Sequence, residues 1–231
     1  ESILGVNSRI QLAQAETVMR KRINEAHMRN GVTLINPDCT YIDKSVIIEK
    51  DCIIYPNCHI KGNTLIRSNT EIRENAVIEN SVIGECVSVK SSTIIDSQIG
   101  NGTTVGPYAY LRPGSRIGNN CKIGDFVEFK NASFGDGSKA SHLSYIGDAD
   151  VGSNVNIGCG VVFVNYDGKN KFRTVVKDNS FVGSNSNLVA PVTIEENSFI
   201  AAGSTITEDV PKDSLAIARG RQVNKADWNN K

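Results

Sequence analysis

Along most of the chain an aliphatic residue returns at every sixth position. Ile42, Ile48, Ile54, Ile60, Ile66, Ile72 and Ile78 form one ladder, which slips by five residues to Ile83 and resumes through Val89 and Ile95. A second ladder runs Ile99, Val105, Leu111, Ile117, Ile123 and Phe129, and a third runs Val182, Leu188, Ile194, Ile200 and Ile206. Glycine follows several rungs, as in Ile99-Gly100, Ile117-Gly118 and Val182-Gly183. A period of six is neither the 3.6 of an amphipathic helix nor the alternation of an ordinary strand. It marks a mainly β fold, a hexapeptide-repeat parallel β-helix. Three hexads make one triangular coil of about 18 residues, each aliphatic points into the prism, and residues one coil apart stack about 4.8 Å from each other.

Ahead of the ladders, Ser8 to Asn30 reads as one long helix, with Asn7 or Ser8 as N-cap, the helix formers Gln11 to Glu16, and Gly31 as the stop. The ladder is broken from Val161 to Thr174 by a polar, aromatic-flanked stretch carrying Lys169, Lys171 and Arg173. A solenoid that leaves its register for such a loop is building a site there. Past Ile206 the pattern stops. The expected organisation is a helical arm over 1–31, a β-helix over 32–208 with the loop 161–174 inserted, and a tail over 209–231.

Charge narrows the partners. Lys and Arg number 25 and Asp and Glu number 25, so there is no basic nucleic-acid arm and no acidic tail. A phosphate must be met by a few placed cations rather than by a field. No apolar run approaches the roughly 18 residues of a membrane span, and no signal peptide starts at Glu1. The expectation is a soluble, cytoplasmic protein with no nucleic-acid or membrane partner. The 6 cysteines contain no C-x-x-C pair and read as free structural thiols. His27, His59 and His142 are too scattered for a zinc set.

Some residues carry candidate chemistry. Arg112 and Lys130 lie one coil apart and make either a phosphate clamp or two solvated cations. Ser184 and Ala202, also one coil apart, leave a groove for an extended ligand, or simply suit a narrow corner. His142 is either a structural histidine or a general base, with a carboxylate such as Glu128 to orient it.

The segments Tyr110-Leu111-Arg112-Pro113-Gly114, Gly124 to Lys130, Lys139 to Asp148, Asn154 to Gly158, Asn165-Tyr166-Asp167-Gly168 with Lys171, Val182-Gly183-Ser184, Leu188 to Val192 and Ala201 to Ser204 carry a family resemblance. In order and spacing they are similar to the C-terminal domain of the bacterial bifunctional N-acetylglucosamine-1-phosphate uridyltransferase/glucosamine-1-phosphate acetyltransferases. Leu4 to Arg9 and the helix resemble the end of that family's pyrophosphorylase domain and its connecting arm.

The resemblance implies a left-handed β-helix, a homotrimer with sites in the grooves between prisms, and acetyl transfer from acetyl-CoA to the amine of glucosamine 1-phosphate. The product feeds UDP-N-acetylglucosamine for the cell wall. By resemblance His142 is the base and Glu128 its possible orienter. Arg112, Lys130, Tyr145, Asn156 and Lys171 hold the sugar phosphate. Cys159, Asn165, Tyr166, Ser184, Ala202 and Arg219 hold acetyl-CoA, with Arg219 on its phosphates and a donor near Ser184 serving the oxyanion. Cys159 departs from the alanine of many relatives. Asn7 matches a magnesium ligand whose carboxylate partner belongs to the pyrophosphorylase domain, so uridylyl transfer and its magnesium are not expected of this chain.

Three other readings stay open: a hexapeptide acetyltransferase for another acceptor, a three-histidine zinc carbonic anhydrase on the same fold, and a non-catalytic trimerising solenoid. The cation set argues against an uncharged acceptor, the histidine spacing against zinc, and His142 with the polar loop against a bare scaffold.

Overall fold

The computed structural model describes residues 5–226 and Trp228. Residues 1–4 of the expected arm, and Asp227 and residues 229–231 of the expected tail, lie outside the described residues. The helix spans Arg9–Arg29 with Ser8 as its N-cap. Ser8 Oγ accepts from the Gln11 amide at 3.2 Å, and Gln11 Oε1 accepts from the Asn7 amide at 2.7 Å, so two otherwise orphaned donors are satisfied. Gly31, with φ 88°, ends the helix in the left-handed region. The buried Asn24 fastens it to the first coil, its Nδ2 donating to Pro37 O at 2.8 Å and Thr40 O at 3.0 Å.

From Thr33 to Ala216 the chain winds as a three-sided parallel β-solenoid of short strands. One face stacks ten strands, from Tyr41–Ile42 to Thr205–Ile206. Each rung aliphatic is buried, and two residues before it stands a small buried residue: Cys52, Cys58, Thr64, Thr70 and Ala76 precede Ile54, Ile60, Ile66, Ile72 and Ile78. These small residues close the corners from inside. Thr70 Oγ1 donates to Gly84 O at 2.8 Å, Ser138 Oγ to Gly152 O at 2.8 Å and Cys58 Sγ to Arg73 O at 3.2 Å. Cys52, Cys58 and Cys121 are therefore corner residues, and burial pushes the Cys58 thiol up to about 11, which keeps it inert. The outer corners need left-handed backbone, which asparagine tolerates, as at Asn57, Asn69, Asn154 and Asn179.

The coil length varies, and the register follows. Tyr41 pairs with His59 and Tyr110 with Glu128, 18 residues on, but Val77 pairs with Thr93 and Lys122 with Lys139. The rung after Val89 is consequently Ile94, fully buried, and not Ile95, which is only partly covered. A corner residue is missing there, so the ladder slips a second time.

The inserted loop is narrower than the sequence pattern indicates, because Val162–Val164 and Thr174–Val176 are wall strands. Between them Tyr166 and Lys171 form an antiparallel bridge. At the far end, Val210 bridges to Ile194 and Leu215–Ala216 pairs with Phe199–Ile200, so the solenoid runs on past 208 to Ala216. This stretch does not read as a ladder because Val210, though buried, breaks the spacing of six, and beyond it Leu215 is exposed and only Ala216 packs on the core.

Candidate active site

Two strands, Lys122–Lys130 and Lys139–Gly147, run unbroken around a corner of the prism. At that corner Phe126 and Leu143 hold φ of 56° and 31°, a region costing bulky side chains on the order of 1–3 kcal/mol each. The strained residues directly follow Asp125 and His142, which are register partners. Gly124 permits the close approach, since a Cβ there would overlap the Ser141 carbonyl. Ser144 Oγ lies 2.9 Å from His142 O and 3.1 Å from Gly158 O and fixes the bend.

His142 Nδ1 is 2.6 Å from Asp125 Oδ1. The hydrogen bond from His142 holds the Asp125 carboxyl below its ordinary range, so the carboxylate accepts and Nδ1 carries the hydrogen. The lone pair is then on Nε2, on a ring that is 61% exposed. Glu128, expected to orient His142, does something else: its Oε1 accepts from Arg112 Nη1 at 2.8 Å. The reason is register, because Glu128 stacks with Tyr110 and Tyr145, three residues along the strand from Asp125.

The same corner continues upward. Gly160 N donates to Leu143 O at 2.7 Å, Asn185 N to Cys159 O at 2.8 Å and Gly203 N to Ser184 O at 2.8 Å. Asp125, His142, Cys159, Ser184 and Ala202 thus occupy one corner position in five successive turns. Three turns separate His142 from Ala202, about 14 Å at about 4.8 Å a turn. Arg219 Nη1 donates to Ala202 O at 2.7 Å and caps the ridge. Its small side chains are matched by Gly183, where a Cβ would sit 2.5 Å from the Ala202 amide nitrogen.

The cations gather at the opposite edge of the adjoining face. Arg112 and Lys130 follow the register pairs Tyr110–Glu128 and Leu111–Phe129. Lys130 Nζ lies 3.7 Å from Asp148 Oδ2, and the Lys171 side chain is its electrostatic neighbour. Lys171 loses its proton first, and its amine, which can then accept from Lys130, together with the Asp148 carboxylate holds the Lys130 ammonium above the usual lysine range, against some desolvation. The same contact and the Lys130 charge push Lys171 below it. Tyr145 lies along the strand over Gly147, where any Cβ would strike the ring, and its hydroxyl accepts from Asn165 Nδ2 at 3.4 Å.

Not every expected residue joins these clusters. Asn165, expected at acetyl-CoA, is buried among the cations, its Nδ2 also donating to Asp148 Oδ2 at 2.5 Å. Asn156 stacks on Lys139, on the face around the corner from Tyr145. Tyr166 is exposed on the inserted turn, its hydroxyl donating to Gly168 O at 2.7 Å. Asn7, exposed before the helix, contributes one amide oxygen, which does not make a magnesium site; that ion demands six oxygens and a carboxylate or two. Among the described residues no three His, Cys, Asp or Glu side chains gather into a metal site, and His59 stacks on Tyr41 at 4.6 Å. Sequence reasoning missed Asp125 and Asp148.

A family described as bacterial transferase hexapeptide (six repeats) matches residues 45–80, 96–131 and 173–208. The repeats of this chain are similar to those of the bacterial hexapeptide transferases. These repeats make the solenoid a left-handed β-helix.

The chain is 64% identical over 228 residues to the bifunctional protein GlmU of Clostridioides difficile (strain 630), a match covering 99% of this chain and 50% of that protein. It is 58% identical over 231 residues to the GlmU of Clostridium acetobutylicum, covering 100% of this chain and 51% of the relative. The chain therefore spans about half the length of the curated relatives it matches. Among solved structures, a Francisella novicida UDP-N-acetylglucosamine acyltransferase superposes with a TM-score of 0.58 at 20% identity, covering 80% of this chain and 67% of that one. The enzyme of the same description from Bacteroides fragilis gives 0.52 at 18% identity, with 81% and 71% covered. At those identities the likeness is one of fold. No helix among the described residues is long and apolar enough to cross a membrane.

Proposed function

We propose that this chain is the acetyl-transferring part of a bifunctional enzyme of the GlmU kind. It moves the acetyl group of acetyl-CoA to the amine of glucosamine 1-phosphate and yields N-acetylglucosamine 1-phosphate and CoA. The observation that carries this reading is the alignment of an Asp125-bound His142 with the ridge Cys159, Ser184, Ala202 and Arg219, across one face from the cations Arg112, Lys130 and Lys171.

In this reading the pantetheine arm lies along the small-residue ridge, with its phosphates toward Arg219 and its thioester toward His142. The cations bind the acceptor's phosphate, Arg112 through its planar fork and the lysines as point charges. The amine nitrogen attacks the carbonyl carbon, the C–N bond forms, and His142 Nε2 takes the ammonium proton. The C–S bond then breaks and the proton passes to the departing sulfur. Asp125 stabilises the imidazolium formed between these steps. The thioester is already activated, so positioning and one base account for the chemistry.

The base and the cations stand at opposite edges of one face, which supports a groove closed by a second copy of the chain. We assign a homotrimer working in the cytoplasm and supplying a precursor of UDP-N-acetylglucosamine. Mass spectrometry of the product from acetyl-CoA and glucosamine 1-phosphate tests the activity: N-acetylation is expected, and an O-acetylated product or none refutes it. Sedimentation is expected to give three chains of 25.0 kDa.

A further inference from the structure

Asp148 is a carboxylate placed inside a cluster of cations meant for an anion. By charge alone it opposes phosphate binding, yet it is the most firmly held group there. It is buried, at 8% exposure, and holds a left-handed corner with φ 47°. Its amide donates to Lys130 O at 2.9 Å and its carbonyl accepts from the Thr174 amide at 3.2 Å. Its Oδ1 accepts from Asn131 Nδ2 at 2.7 Å, and its Oδ2 accepts from Asn165 Nδ2 at 2.5 Å and faces Lys130 Nζ at 3.7 Å. Burial works against its ionisation, but the bonds from Asn131 and Asn165 and the Lys130 charge outweigh this and keep the carboxyl below its ordinary range.

These contacts join three separate pieces of chain. Lys130 and Asn131 end one coil, Asp148 lies one coil on, and Asn165 opens the inserted turn that carries Lys171. Arg173, at the end of that turn, is pinned by Asp150, to which its Nη2 donates at 2.6 Å, and by the Asn131 and Ala149 carbonyls. The loop is thus tied at both ends, and Asp148 is the tie beside the lysines.

We propose that Asp148 is a positioning residue for the acceptor's phosphate, holding Lys130 by charge and the Lys171 loop through Asn165 so that both lysines face one anion. The inference rests on the acetyl-transfer reading. In Asp148→Asn an amide replaces the carboxylate. Its NH2 meets the NH2 of Asn131 or Asn165, so one of the two ties is lost along with the charge.

The test compares Asp148→Asn, Lys130→Met and the double variant in the full chain. Asp148→Asn is expected to raise the KM for glucosamine 1-phosphate about tenfold, as for loss of a buried charge partner, and to leave the KM for acetyl-CoA within about twofold. In the double variant the two effects are expected to be non-additive. Asp148→Glu, which keeps the charge, is expected to recover part of the loss. An unchanged or lowered acceptor KM in Asp148→Asn makes the carboxylate a mere competitor of the phosphate and overturns the proposal. Additive effects, or a loss confined to kcat, overturn it equally. Calorimetric titration of inorganic phosphate into the same variants needs no turnover. A weaker phosphate affinity in Asp148→Asn alongside an inactive parent chain refutes the acetyl-transfer reading and leaves the positioning role standing.

Discussion

Asp125 Oδ1 lies 2.6 Å from His142 Nδ1, one turn of the solenoid away, and this is the side-chain hydrogen bond of the imidazole among the described residues. The carboxylate fixes both the ring's orientation and its tautomer, leaving Nε2 to accept a proton. His142→Ala is expected to lower kcat by roughly 10²–10⁴-fold, the usual worth of a general base. Asp125→Asn is expected to lower kcat by less, with both KM values nearly unchanged. Glu128→Gln should instead alter the acceptor KM, because Glu128 holds Arg112 rather than His142. Steady-state kinetics on the three variants separate these roles.

Phosphate binding should be linked to protons. Lys171 is held below the ordinary lysine range by Lys130. A bound phosphate dianion favours its charged form, so the lysine's pKa rises on binding. Binding at alkaline pH therefore takes up protons, and affinity falls as pH rises through the free-state pKa of Lys171. Calorimetry in buffers of different ionisation enthalpy should show this uptake, and Lys171→Met should abolish it.

Acid stability should depend on the loop anchor. The hydrogen bond from Arg173 holds the Asp150 carboxyl below its ordinary range despite desolvation, with help from Ser133. The folded pKa is depressed, so the contribution is fully present above the unfolded value, about 3.9, and is lost as pH falls through the folded one. Asp150→Asn is expected to lower Tm at pH 7 and to flatten the fall of Tm below about pH 4. Thermal melts across that range check it.

The corner behind His142 should tolerate no side chain. Gly124→Ala drives a Cβ into the Ser141 carbonyl, backbone that cannot rotate away. Loss of acetyl transfer with a lowered Tm is expected. By contrast Gly168→Ala, on the exposed turn with nothing within 4 Å, meets only the strain of its φ of 100°.

The prism was legible because nearly every rung is a large apolar residue facing the interior, and the corners because small and left-handed residues recur with it. The count of 18 per coil placed Arg112 on Lys130 correctly, since that turn has its full length. The same count hid Asp125. Phe129 and Phe134 are consecutive buried rungs only five apart, so the turn from Lys122 to Lys139 is one residue short and slides Asp125, not Gly124, beside His142. Asp148 escaped because corner carboxylates carry no periodic signal, and its partner Asn165 reaches it only through an insertion whose path the repeat does not set. The last two core positions were missed because Val210 breaks the spacing of six and Ala216 is too small to read as a rung.

The most direct test is the acceptor preference. CoA release from acetyl-CoA is measured with glucosamine 1-phosphate and with glucosamine, for the chain and for His142→Ala. A site whose three cations expect a phosphate should reject the bare sugar on the order of 10⁴-fold in kcat/KM, and the variant should lose activity with both. Equal rates with the two acceptors, or activity that survives in His142→Ala, would contradict the account.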